Sequence, residues 1–193
     1  LSTNQTFVGV INHPNDPPDS PNINSPLFSF PTTAGGIHSC LPTKAYAIEP
    51  APQPFVTTWH VDGIDNTLTI PTLYGEAYNY NVDWGDGSTD TGILGDISHT
   101  YAGGENDYTV KISGTFPRIH FPSSVLANKL KITSVDQWGS IQWNSMEEAF
   151  WGCANLEVFD PLAPDLSGVT SLKEMFRGCS SLDQSLDHWD VST

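Results

Sequence analysis

The side chains of this 193-residue chain with the means to do chemistry are six histidines, three cysteines and 22 carboxylates. The histidines (His13, His38, His60, His99, His120 and His188) are scattered. They form no H-E-x-x-H pair on a helix face and have no carboxylate at ligand spacing, which a zinc hydrolase needs. No G-x-S-x-G elbow lifts a serine nucleophile, no glycine loop is shaped to cradle phosphate, and no cysteine stands in a Cys-His-Asn signature. The sequence therefore predicts a chain that is not an enzyme and holds no cofactor.

Asp83, Asp86 and Asp90 fall within eight residues of one another, and between Ala45 and Val110 no Lys or Arg offsets ten carboxylates. A calcium ion would relieve that repulsion. The D-x-D-x-D-G loop of a calcium site is absent, however, and aspartates beside glycine accept backbone N–H bonds in turns. The turn role is the expectation, with no metal assigned.

Seven Lys plus Arg against 22 Asp plus Glu give a formal charge of -15 and a pI near 4.3. Such a field repels phosphate backbones and anionic lipid, so nucleic acid is not an expected partner. Direct membrane insertion is not expected either, because no window approaches the apolar length of a spanning helix. Only 15% of residues are charged, while Gly contributes 16 and Pro 15, a composition of turns and short strands rather than of a helical bundle. The chain opens on Leu1 without a basic and apolar leader, the look of a mature product or an excised piece.

Three stretches must position these residues. Residues 1–54 hold ten of the fifteen prolines and four charged residues, which predicts an extended, proline-rich arm or linker. Its apolar clusters Phe7, Val8, Val10, Ile11 and Leu27, Phe28, Phe30 suit pairing with a sheet edge, their own or a neighbour's. Over residues 55–127 the apolar period becomes two, through Leu68 and Ile70, then Tyr78, Tyr80, Val82 and Trp84, then Tyr108, Val110 and Ile112. Three half-buried strands follow, with Gly85-Asp86-Gly87 and Gly103-Gly104 as hairpin closers and a β-sandwich as the natural packing.

Over residues 128–193 the chain repeats itself. MEEAFWGCANL at 146–156 and LKEMFRGCSSL at 172–182 superpose with an offset of 26 residues, aligning Glu148 with Glu174, Phe150 with Phe176, Gly152 with Gly178, Cys153 with Cys179 and Leu156 with Leu182. Asp165-Leu166-Ser167 recurs as Asp190-Val191-Ser192. That period predicts about two repeats of a leucine-rich solenoid with one short helix per turn, each turn burying its apolar face on the next. The expected fold class is mainly β with some α.

Matching residues of the two copies are read as inward, and the differing pairs, Glu147 with Lys173, Trp151 with Arg177 and Ala154 with Ser180, as outward. Stacked turns would bring the Cα atoms of Cys153 and Cys179 to about 5 Å, within disulfide range. A ladder of small buried thiols is the commoner use of such a position, and with no evident partner for Cys40 the pair is expected reduced. Trp138, Trp143 and Trp189 crowd the same half and are read mostly as core. Trp151 is the large apolar residue on the outward list, and Trp151 and Arg177 are the candidate ligand-binding residues.

The string VDWGDGSTD, followed by SHTYAGGENDYTV, resembles the PKD-type immunoglobulin-like domains of extracellular bacterial proteins, with Trp84 in an inter-sheet core and Asp86-Gly87 in a turn. KITSVDQWGSIQWNSMEEAFWGCANL, running later into LSGVTSLKEMF and HWDVST, is similar to the BspA-like leucine-rich-repeat surface proteins of bacteria, and the two resemblances together cover roughly residues 55–193. They imply a PKD-like β-sandwich followed by repeats, with Trp138 and Trp143 packed at the junction, in a secreted or surface-anchored adhesin. The expected function is a non-enzymatic extracellular or cell-surface binding module whose partner is a protein or glycan on a host, matrix or neighbouring cell. The alternative is a structural subunit of an extracellular filament, self-associating by strand exchange through the arm, and a third reading is an accessory module of a secreted hydrolase.

Overall fold

Alternation in FVTTWHV buries Phe55, Thr57, Trp59 and Val61 on one side of a seven-residue strand, and this strand organises the molecule. The computed structural model describes residues 51–121, 126–158 and 160–192, which fall within the unit Glu49–Thr193. In chain order its elements are β1 (Phe55–Val61), β2 (Thr67–Ile70), β3 (Asn79–Asp83), β4 (Thr89–Ile93), β5 (Ile97–Thr100), β6 (Asn106–Thr115), α1 (Leu126–Lys129), β7 (Ile132–Gln137) and β8 (Glu157–Val158). Six strands form one sheet in the order β4-β3-β6-β1-β7-β8, and β2 pairs with β5 in a second. The expectations for residues 1–50, including the arm's apolar clusters, His13, His38 and Cys40, lie outside the described residues.

β1 is antiparallel to β6, from Phe55 opposite Ile112 to Val61 opposite Asn106. On its other edge it is antiparallel to β7 with two register shifts, and β7 in turn pairs in parallel with β8. One sheet thus runs from the 55–127 stretch into the 128–193 stretch. Just ahead of β1, Gln53 exchanges hydrogen bonds with Ser140, its N–H donating to Ser140 Oγ at 3.0 Å and its carbonyl accepting from Ser140 N at 2.9 Å. Gln137 Nε2 donates to Pro54 O at 2.8 Å.

The three strands read from the sequence are β2, β3 and β6, and Leu68, Ile70, Tyr80, Val82, Tyr108, Val110 and Ile112 are buried as the period of two requires. β1 is not among them, its apolar alternation being interrupted by a polar residue, Thr57, at one of its core positions. Trp59 Nε1 donates to Thr57 Oγ1 at 2.7 Å, which satisfies both groups inside the core. The hairpin at Gly85-Asp86-Gly87 leads into β4, not into the next strand of the sequence reading. β4, TDTGI, is exposed along almost its whole length, so it carries no apolar period and is fixed by pairing with β3.

The short helix expected in each repeat is not there. Segments 146–156 and 172–182 are chains of turns, and the one α-helix among the described residues is the four-residue α1. Within the first copy Ala149 N, Trp151 N and Cys153 N close i to i+3 turns on Met146, Glu148 and Phe150 at 3.1, 3.3 and 3.1 Å. The amides between them point the other way. Met146 N, Glu148 N, Phe150 N and Gly152 N donate to Ser171, Lys173, Met175 and Arg177 carbonyls at 2.9, 2.9, 2.9 and 2.7 Å.

A helix would spend every amide inside its own copy; here alternate amides join one copy to the next. The backbone achieves this with left-handed residues at matched positions, Glu148 (φ 57) and Gly152 (φ 78) in the first copy, Glu174 (φ 54) and Gly178 (φ 80) in the second. The repeat is therefore one of conformation as well as of sequence.

Aromatic side chains carry the core across the sheet into the repeats. Phe55 stacks on Trp138 (ring centroids 5.8 Å apart) and meets Trp143 edge-on at 5.1 Å. Trp59 contacts Phe121, Phe121 contacts Phe150, and Phe150 stacks on its equivalent Phe176 at 5.7 Å and 10°. Trp138 and Trp143 are buried, the packed position expected of them, and Trp189 is half-buried against Phe176.

Candidate functional site

The ladder between the copies places Trp151 beside Arg177, since Gly152 N donates to the Arg177 carbonyl at 2.7 Å. The two candidate residues differ in setting. Arg177 is exposed, its Nη1 3.1 Å from Glu174 Oε1. Trp151 is half-buried, with Lys129 Nζ 4.2 Å from its ring centroid. Lys129 is itself only 4% exposed, so the indole both presents an edge to solvent and covers a buried cation, a favourable pairing with the ring's negative face. Nothing in the spacing of the sequence links residues 129 and 151; α1 brings them together.

The other outward pairs also touch across the copies. Lys173 Nζ lies 3.3 Å from Glu147 Oε1, and Ser180 Oγ donates to the Ala154 carbonyl at 3.3 Å. Of the matched residues, Phe150, Cys153 and Leu156 are buried, while their second-copy equivalents are half-buried. The matched glutamates depart from the inward expectation. Glu148 and Glu174 are half-buried and share the left-handed backbone, and their carboxylates lie by cationic or ionisable groups, His120 at 4.0 Å and Arg177 at 3.1 Å.

A second cluster joins Asp86, Ser88 and His99, a set of residue types that invites comparison with a hydrolytic triad. The geometry assigns another role. Asp86 Oδ2 at 2.8 Å and Ser88 Oγ at 3.4 Å both address the same imidazole nitrogen, Nε2, whereas nucleophile activation needs serine and carboxylate on opposite nitrogens. Ser88 Oγ donates instead to Asp86 Oδ1 at 2.5 Å, and Ser88 N donates to the same oxygen at 2.9 Å. The imidazole stacks on Trp84, whose carbonyl accepts from Tyr101 OH at 2.9 Å. The cluster locks the β3–β4 turn onto β5, the turn role expected of Asp86.

The Ser88 hydroxyl first, then its N–H and His99, hold the Asp86 carboxyl well below the ordinary value, at about 2. A depressed carboxyl stabilises the fold above its unfolded pKa of about 4, and that contribution disappears as pH falls through about 2. Asp86→Asn should therefore melt lower than the native chain at pH 7, by on the order of 1 kcal/mol given the partly exposed site. The gap should close between pH 4 and pH 2 in melts followed by circular dichroism. A gap of constant size across that range would contradict the assignment.

The neighbouring carboxylates are engaged separately. Asp83 Oδ1 accepts from Gly85 N at 3.1 Å and its Oδ2 lies 3.4 Å from Lys111 Nζ, while Asp90 Oδ2 accepts from Trp84 Nε1 at 2.8 Å. Lys131, 7% exposed, donates to Asp65 Oδ2 at 2.7 Å and to the Thr67 carbonyl at 2.6 Å. Lys111 and Lys131 thus return to the stretch that lacks cations in the sequence. Among the described residues, no group of three or more His, Cys, Asp or Glu is arranged to hold a metal ion.

Cys153 and Cys179 are both free thiols. Cys179 Sγ donates to the Phe150 carbonyl at 3.1 Å. Burial drives the Cys153 thiol far above its ordinary value and pushes Cys179 up to about 11, so neither is a thiolate at neutral pH. Iodoacetamide should leave Cys153 unlabelled in the native protein for hours and label it within minutes in denaturant, as read by mass spectrometry. Rapid native labelling of Cys153 would contradict the buried ladder.

Fold and sites together define a mainly β scaffold whose second half stacks two copies of one backbone unit. Residues 122–193, which include both copies, match the family described as "Mycoplasma protein of unknown function, DUF285". No curated protein and no solved structure matches the chain. No helix among the described residues is long and apolar enough to cross a membrane.

Proposed function

We propose that the chain is a non-enzymatic binding module of a bacterial secreted or cell-surface protein. A PKD-like β-sandwich leads into leucine-rich solenoid turns, and the outer repeat face around Trp151 and Arg177 meets a protein or glycan partner. One observation carries the reading. The two copies keep the same backbone, down to φ at Glu148 and Glu174, while their outward side chains differ, Trp151 against Arg177 and Glu147 against Lys173. Such a scaffold lets recognition vary at modest cost to the fold. The match of residues 122–193 and the resemblance to BspA-like surface proteins support an extracellular setting. The Ser88 geometry supports a non-catalytic role.

Trp151→Ala separates recognition from packing. Because the indole is half-buried over Lys129, the variant should lose about 1 to 2 kcal/mol of stability, less than a fully buried tryptophan would. Binding should weaken by about 1 to 3 kcal/mol. A loss of about 4 kcal/mol or more in urea unfolding would make Trp151 a packing residue and remove it from the binding face.

A second reading, self-association, is favoured by a different feature. Leu172, Glu174, Phe176 and Gly178 are the equivalents of the four donors that join the copies, and their amides have no acceptor among the described residues. A donor edge of this kind pairs with another backbone, a following copy of the repeat or a strand supplied by the arm or a neighbour. Light scattering of the chain with and without residues 1–12 tests whether the arm supplies that pairing: loss of a multimer on deletion supports it, and an unchanged mass refutes it.

A further inference from the structure

The loop after β2 and the turn between β4 and β5 enclose a cleft of about 570 Å³, lined by Thr72, Leu73, Tyr74, Gly75, Glu76, Tyr78 and residues 94–96. Its rim carries two of the most exposed apolar side chains among the described residues, Tyr74 at 103% and Leu94 at 73%. The loop that presents Tyr74 is held at both ends. Thr72 N and Oγ1 donate to Asp96 Oδ1 at 2.7 and 2.6 Å, Leu73 N donates to Tyr78 OH at 3.0 Å, and Tyr78 OH donates to the Arg118 carbonyl at 2.8 Å. Tyr80 OH donates to the Gly95 carbonyl at 2.7 Å and fixes the opposite wall. The restrained backbone thus presents a fully exposed ring at the rim of the cleft.

We propose that this cleft binds an arginine side chain of a partner polypeptide, its guanidinium stacked on Tyr74 and paired with Glu76 and Asp96, its stem against Leu94. Three features select that group. The Glu76 carboxylate and Asp96 Oδ2 have no hydrogen-bond or ion-pair partner among the described residues, and no Lys or Arg lines the cleft. These unengaged side-chain oxygens are acceptors, which suits a guanidinium with five donors and no acceptor, whereas a neutral sugar offers hydroxyls that also need donors. A flat cation on an aromatic face gains from the ring's quadrupole, and the planar fork favours Arg over the point charge of Lys. The chain's charge of -15 raises the local concentration of such a partner and repels anionic glycans. The site is separate from the repeat face and stands or falls independently of it.

The test is a titration of the whole 15N-labelled chain with acetyl-Gly-Arg-Gly-amide, followed by amide chemical shifts. Saturable shifts should concentrate in residues 72–78 and 94–96 and leave the amides around Trp151 unmoved. The isosteric but neutral citrulline peptide should bind about tenfold more weakly, as should the Arg peptide to Tyr74→Ala or Glu76→Gln. Both replaced side chains are free of hydrogen bonds among the described residues, and an unchanged spectrum away from the cleft verifies that the variants fold. Equal binding of the citrulline peptide would overturn the proposal. So would shifts scattered over the acidic surface, insensitivity to both variants, or larger shifts at the cleft with N-acetylglucosamine than with the Arg peptide.

Discussion

Gly139→Ala should be among the most destabilising single-methyl additions in the chain, costing more than about 3 kcal/mol. Gly139 sits at φ 68, a backbone that costs an L-residue about 1 to 2 kcal/mol. A Cβ there would collide with the Pro54 carbonyl oxygen and lie 2.5 Å from the Gln53 oxygen, so the clash is with backbone and no rotamer relieves it. Those carbonyls accept from Gln137 Nε2 and Ser140 N, so separating the segments also breaks the bonds that lead the chain into β1. Gly104→Ala is the control, because an added Cβ meets nothing within 4 Å, and its effect should stay within about 1 kcal/mol. Urea unfolding of both variants reads the difference; similar midpoints would mean the approach of residues 53–54 to Gly139 is wrong.

Phe150→Ala should cost about 3 to 5 kcal/mol, the usual range for emptying a buried aromatic site. The ring is fully buried and contacts Phe121 at 6.2 Å, Trp138 at 6.1 Å and Phe176 at 5.7 Å, so it links the β1 core to the second copy. Phe176→Ala, at the equivalent but half-buried position, should cost roughly half as much. Equal losses, or a larger loss at Phe176, would contradict the order in which the copies pack.

Legibility followed the strength of the local apolar signal. β2, β3 and β6 alternate apolar and polar residues and were readable, as was the buried Trp84 beside β3; the packing of Trp138 and Trp143 came from the family resemblance and not from any period. β1 was hidden by Thr57, whose hydroxyl is satisfied by Trp59 two residues away, a compensation no periodicity reveals. β4 was hidden because pairing rather than burial defines it. The repeat was plain in the sequence, but the helix expected of it does not form, because alternate amides are spent on the neighbouring copy and that choice depends on left-handed φ at Glu148, a residue with no preference for it.

At the candidate site, the sequence placed Trp151 and Arg177 outward and adjacent through the internal alignment alone, and backbone bonding does set them side by side. It did not foresee Lys129 under the indole, since a cation 22 residues away enters through tertiary packing. Nor did it foresee His99 on Asp86 and Ser88, where the residues come from a turn and a separate strand. The Tyr74 cleft was equally silent, being built from two loops without a motif.

The central claim, a binding scaffold that recognises its partner through the repeat face, is tested most directly by one solid-phase measurement. The native chain and a Trp151→Ala/Arg177→Ala double variant are applied across concentration to immobilised extracellular-matrix proteins and cell-surface glycans. Saturable binding to at least one of them, weakened about tenfold or more in a variant that keeps its native circular dichroism, is the predicted result. Binding by the folded variant equal to that of the native chain, or no saturable binding by the native chain to any surface, would contradict it.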